Sequence, residues 1–312
     1  SRQHEGQKLS QVFPNCWLEH DLVFQALNTE VISKNAEVIF LCLPHHESME
    51  VAAGFLNMGK TVIDLSADFR LKEKASYEAW YGPHSQEKWL KKAVYGLPEI
   101  YRDEIKGKKL IASPGCYPTS IILGLAPVLK SQSVSLEGII CDSKSGVSGA
   151  GRGTKIENHF AEVNNNFKAY GVVGHRHIPE IEQELSQLAG QKMLIRFTPH
   201  LLPISRGILS TIYAQPKAGL SLEALHEQYV KFYKNQRFVK VLPLGQYPQI
   251  KSVAGTNECH LGLALDERTH TLIIISAIDN LTKGASGQAV QAFNILMDYP
   301  EEMGLDLLST YP

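Results

Sequence analysis

The chain has 312 residues, 44% of them hydrophobic and 20% charged, with a formal net charge of −1 and no block of like charges. That length favours two domains and allows a sizeable core. A chain this close to neutral lacks the field of a general nucleic-acid or membrane-surface binder, which speaks against both roles. Its five cysteines stand singly, at Cys16, Cys42, Cys116, Cys141 and Cys259, with no Cys-x-x-Cys pair. Free thiols in a reducing compartment follow. No apolar stretch approaches the roughly 20 residues that span a bilayer, and the first eleven residues are polar. The reading is a soluble, cytoplasmic protein.

In chain order, "AEVIFLCLPHH" (36–46) and "KTVIDLSADFR" (60–70) are short apolar runs of strand type. Between them "ESMEVAAGFLNMG" carries apolar residues at helical spacing and stops at Gly59. "KKLIASPG" (108–115) adds a third buried-type strand. Strands alternating with helices imply a parallel sheet covered on both faces. Beyond residue 130, "LEGIICDSKSG", "KMLIRFTPHLLPISRGILSTIYAQP" and "THTLIIISAID" are longer, β-rich and separated by turn residues, with a helix at "SLEALHEQYVKFYKN". They predict a mixed or antiparallel sheet in a second domain. "GASGQAVQAFNILMDYPEEMG" (284–304) reads as a last amphipathic helix stopped by Pro300. There is no internal repeat.

Cys116 follows Pro114 and Gly115 in "LIASPGCYPTSIILGLAPVL", where an apolar run turns into a helix. A thiol at a helix N-terminus meets unpaired N–H groups and the dipole, which favour the thiolate. Most single cysteines are instead small buried hydrophobes. In "GVVGHRHIPEIEQEL", His175 and His177 lie two apart and face one side if the segment is extended, within reach of one pocket. Histidine suits the proton transfers that cysteine catalysis needs. The plain alternative is an exposed loop before a helix that starts near Pro179.

Zinc is a rival reading, because His-x-His, "PHHE" (44–47) and "ECH" (258–260) offer ligands. None has the paired spacing of a structural site or an HExxH helix, so no metal is assigned. "DSKSGVSGAGRGT" (142–154) reads as a Gly/Ser-rich turn able to form an anion nest beside Lys144 and Arg152. In "PISRGI", Arg206 either snorkels or clamps an anion in a cleft.

Together "VIDLSADFRL", "YGLPEI", "SPGCYPTS", "SKSGVSGAGR", "GHRHIPEIEQEL", "FTPHLLPISRGIL", "AGTNECHLG" and "SAIDNLTKGASGQAVQAFN" resemble, in order, the segments of the N-acetyl-γ-glutamyl-phosphate reductases of arginine biosynthesis. The resemblance runs from residue 1 to about residue 305. It implies an NADPH-dependent reduction of a small-molecule acyl phosphate through a thioester on Cys116, with His177 favoured over His175 as acid/base. It also implies substrate binding by Arg206, Lys144 and Arg152, and nicotinamide binding by Asn280. Ser1 and Arg2 would meet the 2′-phosphate, and Pro44, Ser145 and Gly146 complete the cofactor set.

The resemblance implies a homo-oligomer, dimer or tetramer, and a fold of class α/β: a Rossmann-type parallel sheet domain plus an α+β catalytic domain with a mixed or antiparallel sheet. The expected boundaries are 1–115 with 284–312 for the dinucleotide-binding part, N-terminally incomplete, and 116–283 for the catalytic and oligomerisation part.

This sequence departs from the family in one respect. No G-x-x-G-x-x-G precedes Cys116, so the first strand, glycine turn and helix of a dinucleotide fold have no counterpart. A start at Ser rather than Met makes a missing N-terminal segment the expectation. Three rivals stand beside the reductase. One is the aminoadipyl enzyme of lysine biosynthesis, whose substrate is one methylene longer, a difference worth only about 1–3 kcal/mol. The others are a non-catalytic relative that has lost its cofactor and a cysteine hydrolase, which a requirement for NADPH separates from the reductase.

Overall fold

The structure is a computed structural model that describes residues 3–16, 22–151, 153 and 155–309. Ser1, Arg2 and Arg152, three of the expected binding residues, lie outside the described residues. The chain opens with α1 (Leu9–Val12), α2 (Thr29–Asn35), β1 (Val38–Leu41), α3 (Glu47–Asn57), β2 (Thr61–Asp64), α4 (Lys74–Tyr81) and α5 (Glu87–Leu90). It continues through β3 (Val94–Tyr95), α6 (Pro98–Ile105) and β4 (Leu110–Ala112). These four strands form an all-parallel sheet in the order β1-β2-β4-β3.

All four residues of β2 are buried, as a strand covered on both faces requires: Val62 and Ile63 are apolar, and the Asp64 carboxylate is satisfied by the hydroxyls of Ser48 and Ser66. On one face Met49, Ala52 and Phe55 of α3 pack against Leu41, Val62 and Leu110. On the other, Ile63 and Ile111 meet Ala289, Ala292 and Ile295 from the last helix of the chain. The start of α3 is fixed from outside: the Asp68 carboxylate accepts from the backbone N–H groups of His46 and Met49. Its end is Gly59, at φ 77°.

After β4 come α7 (Cys116–Lys130), β5 (Ile140–Gly146), α8 (Phe160–Val163), β6 (Lys168–Ala169), α9 (Ile178–Ala189), β7 (Arg196–Leu202), β8 (Ile208–Ala214) and α10 (Leu222–Tyr233). Then follow β9 (Val239–Val241), β10 (Cys259–Asp266), β11 (Thr271–Ile278), a π-helical turn at Thr282–Ser286 and α11 (Gly287–Leu296). The seven strands order as β6-β7-β5-β8-β11-β10-β9. The sheet is mixed: β5 with β7 and β9 with β10 are parallel, the other pairs antiparallel.

α7 lies on one face of this sheet, with every residue from Tyr117 to Leu129 buried. Gly124 permits the contact, since a Cβ there would sit 2.8 Å from Ile212 Cδ1. Pro127 lies inside the helix and has no N–H for the carbonyl of Leu123. Tyr233 supplies the missing donor, its hydroxyl giving a hydrogen bond to Leu123 O at 2.5 Å.

The structure corrects two expectations about elements. The final helix ends at Leu296, with Asp298 at φ 56°, before Pro300 is reached. Residues 142–146 belong to β5 rather than to a Gly/Ser turn, and a short 3-10 turn at Val147–Ala150 follows.

Candidate active site

Cys116 is the first residue of α7, and Gly115 is its N-cap. The turn before it is held by a buried pair that sequence reasoning did not single out. Arg70 donates from Nε to Ser113 O and from Nη2 to Leu65 O, both at 2.8 Å. Glu180, in the first turn of α9, accepts from the Gly115 N–H at 2.8 Å and the Tyr95 hydroxyl at 2.7 Å. Its other oxygen meets Arg70 Nη1 at 3.2 Å. The signal available beforehand was the pair of motif segments "SADFRL" and "HIPEIEQEL", but nothing in either places it beside Cys116.

The same helix brings in the histidine. His177 caps α9, and its Nε2 would lie 2.7 Å from a Cβ on Gly115. Glycine is therefore required where the imidazole closes on the nucleophile's turn. His175 and His177 sit in a turn rather than on an extended segment, yet their rings are 4.9 Å apart and both line one cavity with Cys116. His175 Nδ1 accepts from the His177 backbone N–H at 3.1 Å, which places its own ring proton on Nε2. His177 Nδ1 is buried with no hydrogen-bond partner among the described residues.

Burial dominates the electrostatics. It pushes the Cys116 thiol up to about 11, although the backbone N–H of Tyr117 and the Arg70 guanidinium pull the other way. The expectation of a thiol depressed by the helix N-terminus is thus corrected: the N-terminal N–H groups act in the expected direction, and desolvation outweighs them. Burial also lowers His175 to about 4 and His177 well below its ordinary value, helped by the neighbouring cations. The resting pair is a neutral thiol and a neutral imidazole.

The cavity has a volume of about 510 Å3. Among the described residues its walls carry three cations, Lys155, Lys168 and Arg176, and the carboxylate of Glu157, together with Ser145, Gly146 and Tyr170. Arg176 lies over the Tyr81 ring at 5.7 Å, and its carbonyl accepts from the Tyr81 hydroxyl at 2.9 Å. Lys144 and Arg206 are not brought to this wall. Lys144 alternates with the buried Ser143 and Ser145, so it projects from the opposite face of β5, where Nζ pairs with Asp142 at 2.7 Å. Arg206, 46% exposed, pairs with the buried Asp279 at 3.3 Å. Within the stretch expected to form an anion nest, the N–H groups of Gly146, Val147 and Ser148 donate to the carbonyls of Gly207, Ile204 and Ser205, while Gly149 and Ala150 line the cavity.

For a dinucleotide, the residues present fit the nicotinamide end. Gly149 packs closely on Ser145 Oγ and Asn280 Nδ2, for a Cβ there would approach them to 3.3 and 3.5 Å. Asn280 is buried and fixed, Oδ1 accepting from Gly207 N at 2.6 Å and Nδ2 donating to Ser148 Oγ at 3.0 Å. One amide hydrogen remains for a carboxamide. Pro44 is exposed in the loop that follows the C-terminal end of β1, the side on which parallel sheets receive nucleotides. Among the described residues no group of three or more His, Cys, Asp or Glu side chains is gathered to hold a metal ion, and no helix is long and apolar enough to cross a membrane.

Comparison with known proteins agrees with this architecture. A family described as "Semialdehyde dehydrogenase, NAD binding domain" matches residues 1–108, and one described as "Semialdehyde dehydrogenase, dimerisation domain" matches residues 116–280. Among solved structures, aspartate semialdehyde dehydrogenase II from Vibrio cholerae shares the fold at a TM-score of 0.71 and 16% identity, over 96% of this chain and 88% of that one. Aspartate semialdehyde dehydrogenase with NADP from Candida albicans does so at 0.65 and 14%, over 95% and 89%. Sequence relatives are far nearer. N-acetyl-gamma-glutamyl-phosphate reductases from Geotalea daltonii and Pelobacter propionicus are each 53% identical, and that from Pelotomaculum thermopropionicum is 50% identical, over all of this chain and 90% of each relative. The chain belongs to the N-acetyl-gamma-glutamyl-phosphate reductase family.

Proposed function

We propose that the chain reduces N-acetyl-γ-glutamyl phosphate to N-acetylglutamate 5-semialdehyde, with NADPH as reductant, through a thioester on Cys116. The observation that carries the reading is the placement of His177 Nε2 over the Gly115–Cys116 turn at the start of α7. The Cys116 sulfur attacks the acyl carbon while its proton passes to His177 Nε2. The carbon–oxygen bond to the phosphoryl group breaks, and inorganic phosphate leaves. NADPH, when bound, supplies the hydride that the thioester carbon takes up. The thiohemiacetal on Cys116 then collapses, releasing the aldehyde and returning the proton to the thiol.

Because thiol and imidazole rest neutral, deprotonation accompanies attack rather than preceding it. The N–H of Tyr117 stabilises the charge as it develops on sulfur. Arg176, Lys155 and Lys168 face the phosphate and the α-carboxylate across the cavity, the role first expected of Lys144 and Arg206. Asn280, Ser145 and the Pro44 loop hold the nicotinamide end. His175 fixes the turn that presents His177.

The dinucleotide part comprises residues up to the Cys116 turn together with α11, which packs on the parallel sheet. The free face of the seven-stranded sheet, with Tyr213, Ile273 and Ile275 half-exposed beside the Asp142–Lys144 pair, joins two copies in a homodimer. The test is NADPH oxidation dependent on the acyl phosphate, with Cys116→Ala as control. Turnover in wild type lost in the variant is the expected result. Turnover that persists in Cys116→Ala would contradict the thioester route.

A further inference from the structure

Lys283 and Glu99 are fully buried, both 0% exposed, with Nζ 2.7 Å from Oε1. Lys283 Nζ also donates to Gln291 Oε1 at 2.7 Å, and Gln291 Nε2 donates to Glu99 Oε1 at 2.9 Å and to Glu301 Oε1 at 2.7 Å. Asn257 Nδ2 donates to Gln291 Oε1 at 3.0 Å, and Phe238 presents its ring 5.9 Å from the ammonium. Burial pushes the Glu99 carboxyl up, and the ammonium and the Gln291 amide more than offset it, so the pair stays charged. A buried pair of this kind adds little stability over a well-packed apolar substitute. It does demand one geometry, because the ammonium must meet a carboxylate on α6 and an amide on α11 at once.

The turn that carries Lys283 touches the nucleophile. Lys283 and Gly284 lie in the π-helical turn Thr282–Ser286, a rare backbone form that is found mostly as single turns. A Cβ on Gly284 would lie 2.8 Å from Cys116 Cβ and 3.2 Å from its Cα. Gly284 N donates to Asp279 O at 2.9 Å, and one turn on, Gln288 Nε2 donates to Thr119 Oγ1 of α7 at 3.0 Å.

We infer that Lys283, through its pairing with Glu99, is a positioning residue for Cys116: it sets the π-helical turn so that Gly284 packs against the Cα and Cβ of the nucleophile and keeps the sulfur on the cavity side. The inference rests on the reading of Cys116 as nucleophile.

The test uses the full chain as wild type, Lys283→Met, Glu99→Gln, the double variant and Cys116→Ala. Four quantities are compared: kcat, KM, thermal midpoint and the rate at which iodoacetamide alkylates Cys116 without cofactor. Lys283→Met is expected to lower kcat about 10- to 100-fold, as a misplaced nucleophile does, with KM changed by no more than about 2-fold. The alkylation rate of Cys116 shifts with it, and the double variant is no worse than the worse single one. A folded Lys283→Met with wild-type kcat and alkylation rate overturns the inference, even if its midpoint falls. Should Lys283→Met not fold, Gly284→Ala adds the methyl at the contact without touching the ion pair. Loss of kcat at unchanged KM supports the inference, and unchanged kcat overturns it. Turnover by Cys116→Ala would instead remove the reading on which the inference stands.

Discussion

Arg70 and Glu180 form an ion pair whose side chains are only 8% and 2% exposed, and its two members hold the turn that carries Cys116 from both sides. One partner follows β2 of the parallel sheet and the other begins α9, so the pair fixes the thiol relative to the helix that His177 caps. Glu180→Ala leaves Arg70 buried and unpaired, and a loss of about 3–5 kcal/mol in urea unfolding is expected. Glu180→Gln keeps an acceptor for Gly115 N–H and Tyr95 and should lose less. Equal losses in the two variants would mean that the charge, not the hydrogen bonds, carries the effect.

The thiol's environment predicts its reactivity. With burial raising Cys116 to about 11, its alkylation by iodoacetamide in the protein without substrate should be slow near neutrality and climb with pH well beyond about pH 9. His177→Gln leaves that ascent in place but lowers turnover by about 100-fold or more, because the base that takes the proton during attack is gone. A rate that levels off near pH 7 would show a preformed thiolate and contradict the neutral resting pair.

Acid should destabilise the fold through its half-buried imidazoles. Burial lowers His45 and His175 to about 4, so between there and about 6.5 the unfolded chain binds protons that the folded chain refuses. Stability is therefore full above the unfolded value and falls as pH drops. Near pH 5 the loss is about 1 kcal/mol for each, after allowance for their partial exposure. Urea midpoints at about pH 7 and pH 5 check this, and His175→Asn should narrow the difference. Identical midpoints would contradict it.

What the sequence revealed about the site was what lies close along the chain. Cys116 after Pro114 and Gly115, and the two histidines before an apolar-periodic helix, were legible because turn and helix signals are local. The pairs that hold them join residues 110 and 184 positions apart, Arg70 with Glu180 and Glu99 with Lys283, and no local pattern announces such partners. Arg206 and Lys144 were attractive as cations beside glycine and serine. Strand alternation turned Lys144 to the other face, and Asp279 claimed Arg206, whereas Lys168 on a two-residue edge strand gave no signal at all. The α/β order of the first unit was readable from its buried runs. β3, with two residues, was too short to show a period.

Tyr233 and Pro127 make a separable prediction. Tyr233→Phe removes the donor that satisfies the Leu123 carbonyl, leaving a buried acceptor unpaired at a cost of about 1–3 kcal/mol. Restoring the backbone N–H with Pro127→Ala in the same chain should recover part of that loss. A double variant no more stable than Tyr233→Phe alone would mean that the proline is not what leaves Leu123 in need of a partner.

The most direct measurement is the intact mass of the protein after incubation with N-acetyl-γ-glutamyl phosphate in the absence of NADPH, followed by peptide mapping. The account predicts a mass increase of one N-acetylglutamyl acyl group, carried by the peptide containing Cys116 and discharged when NADPH is added. An adduct on another residue, or turnover by a protein that never acquires one, would contradict it.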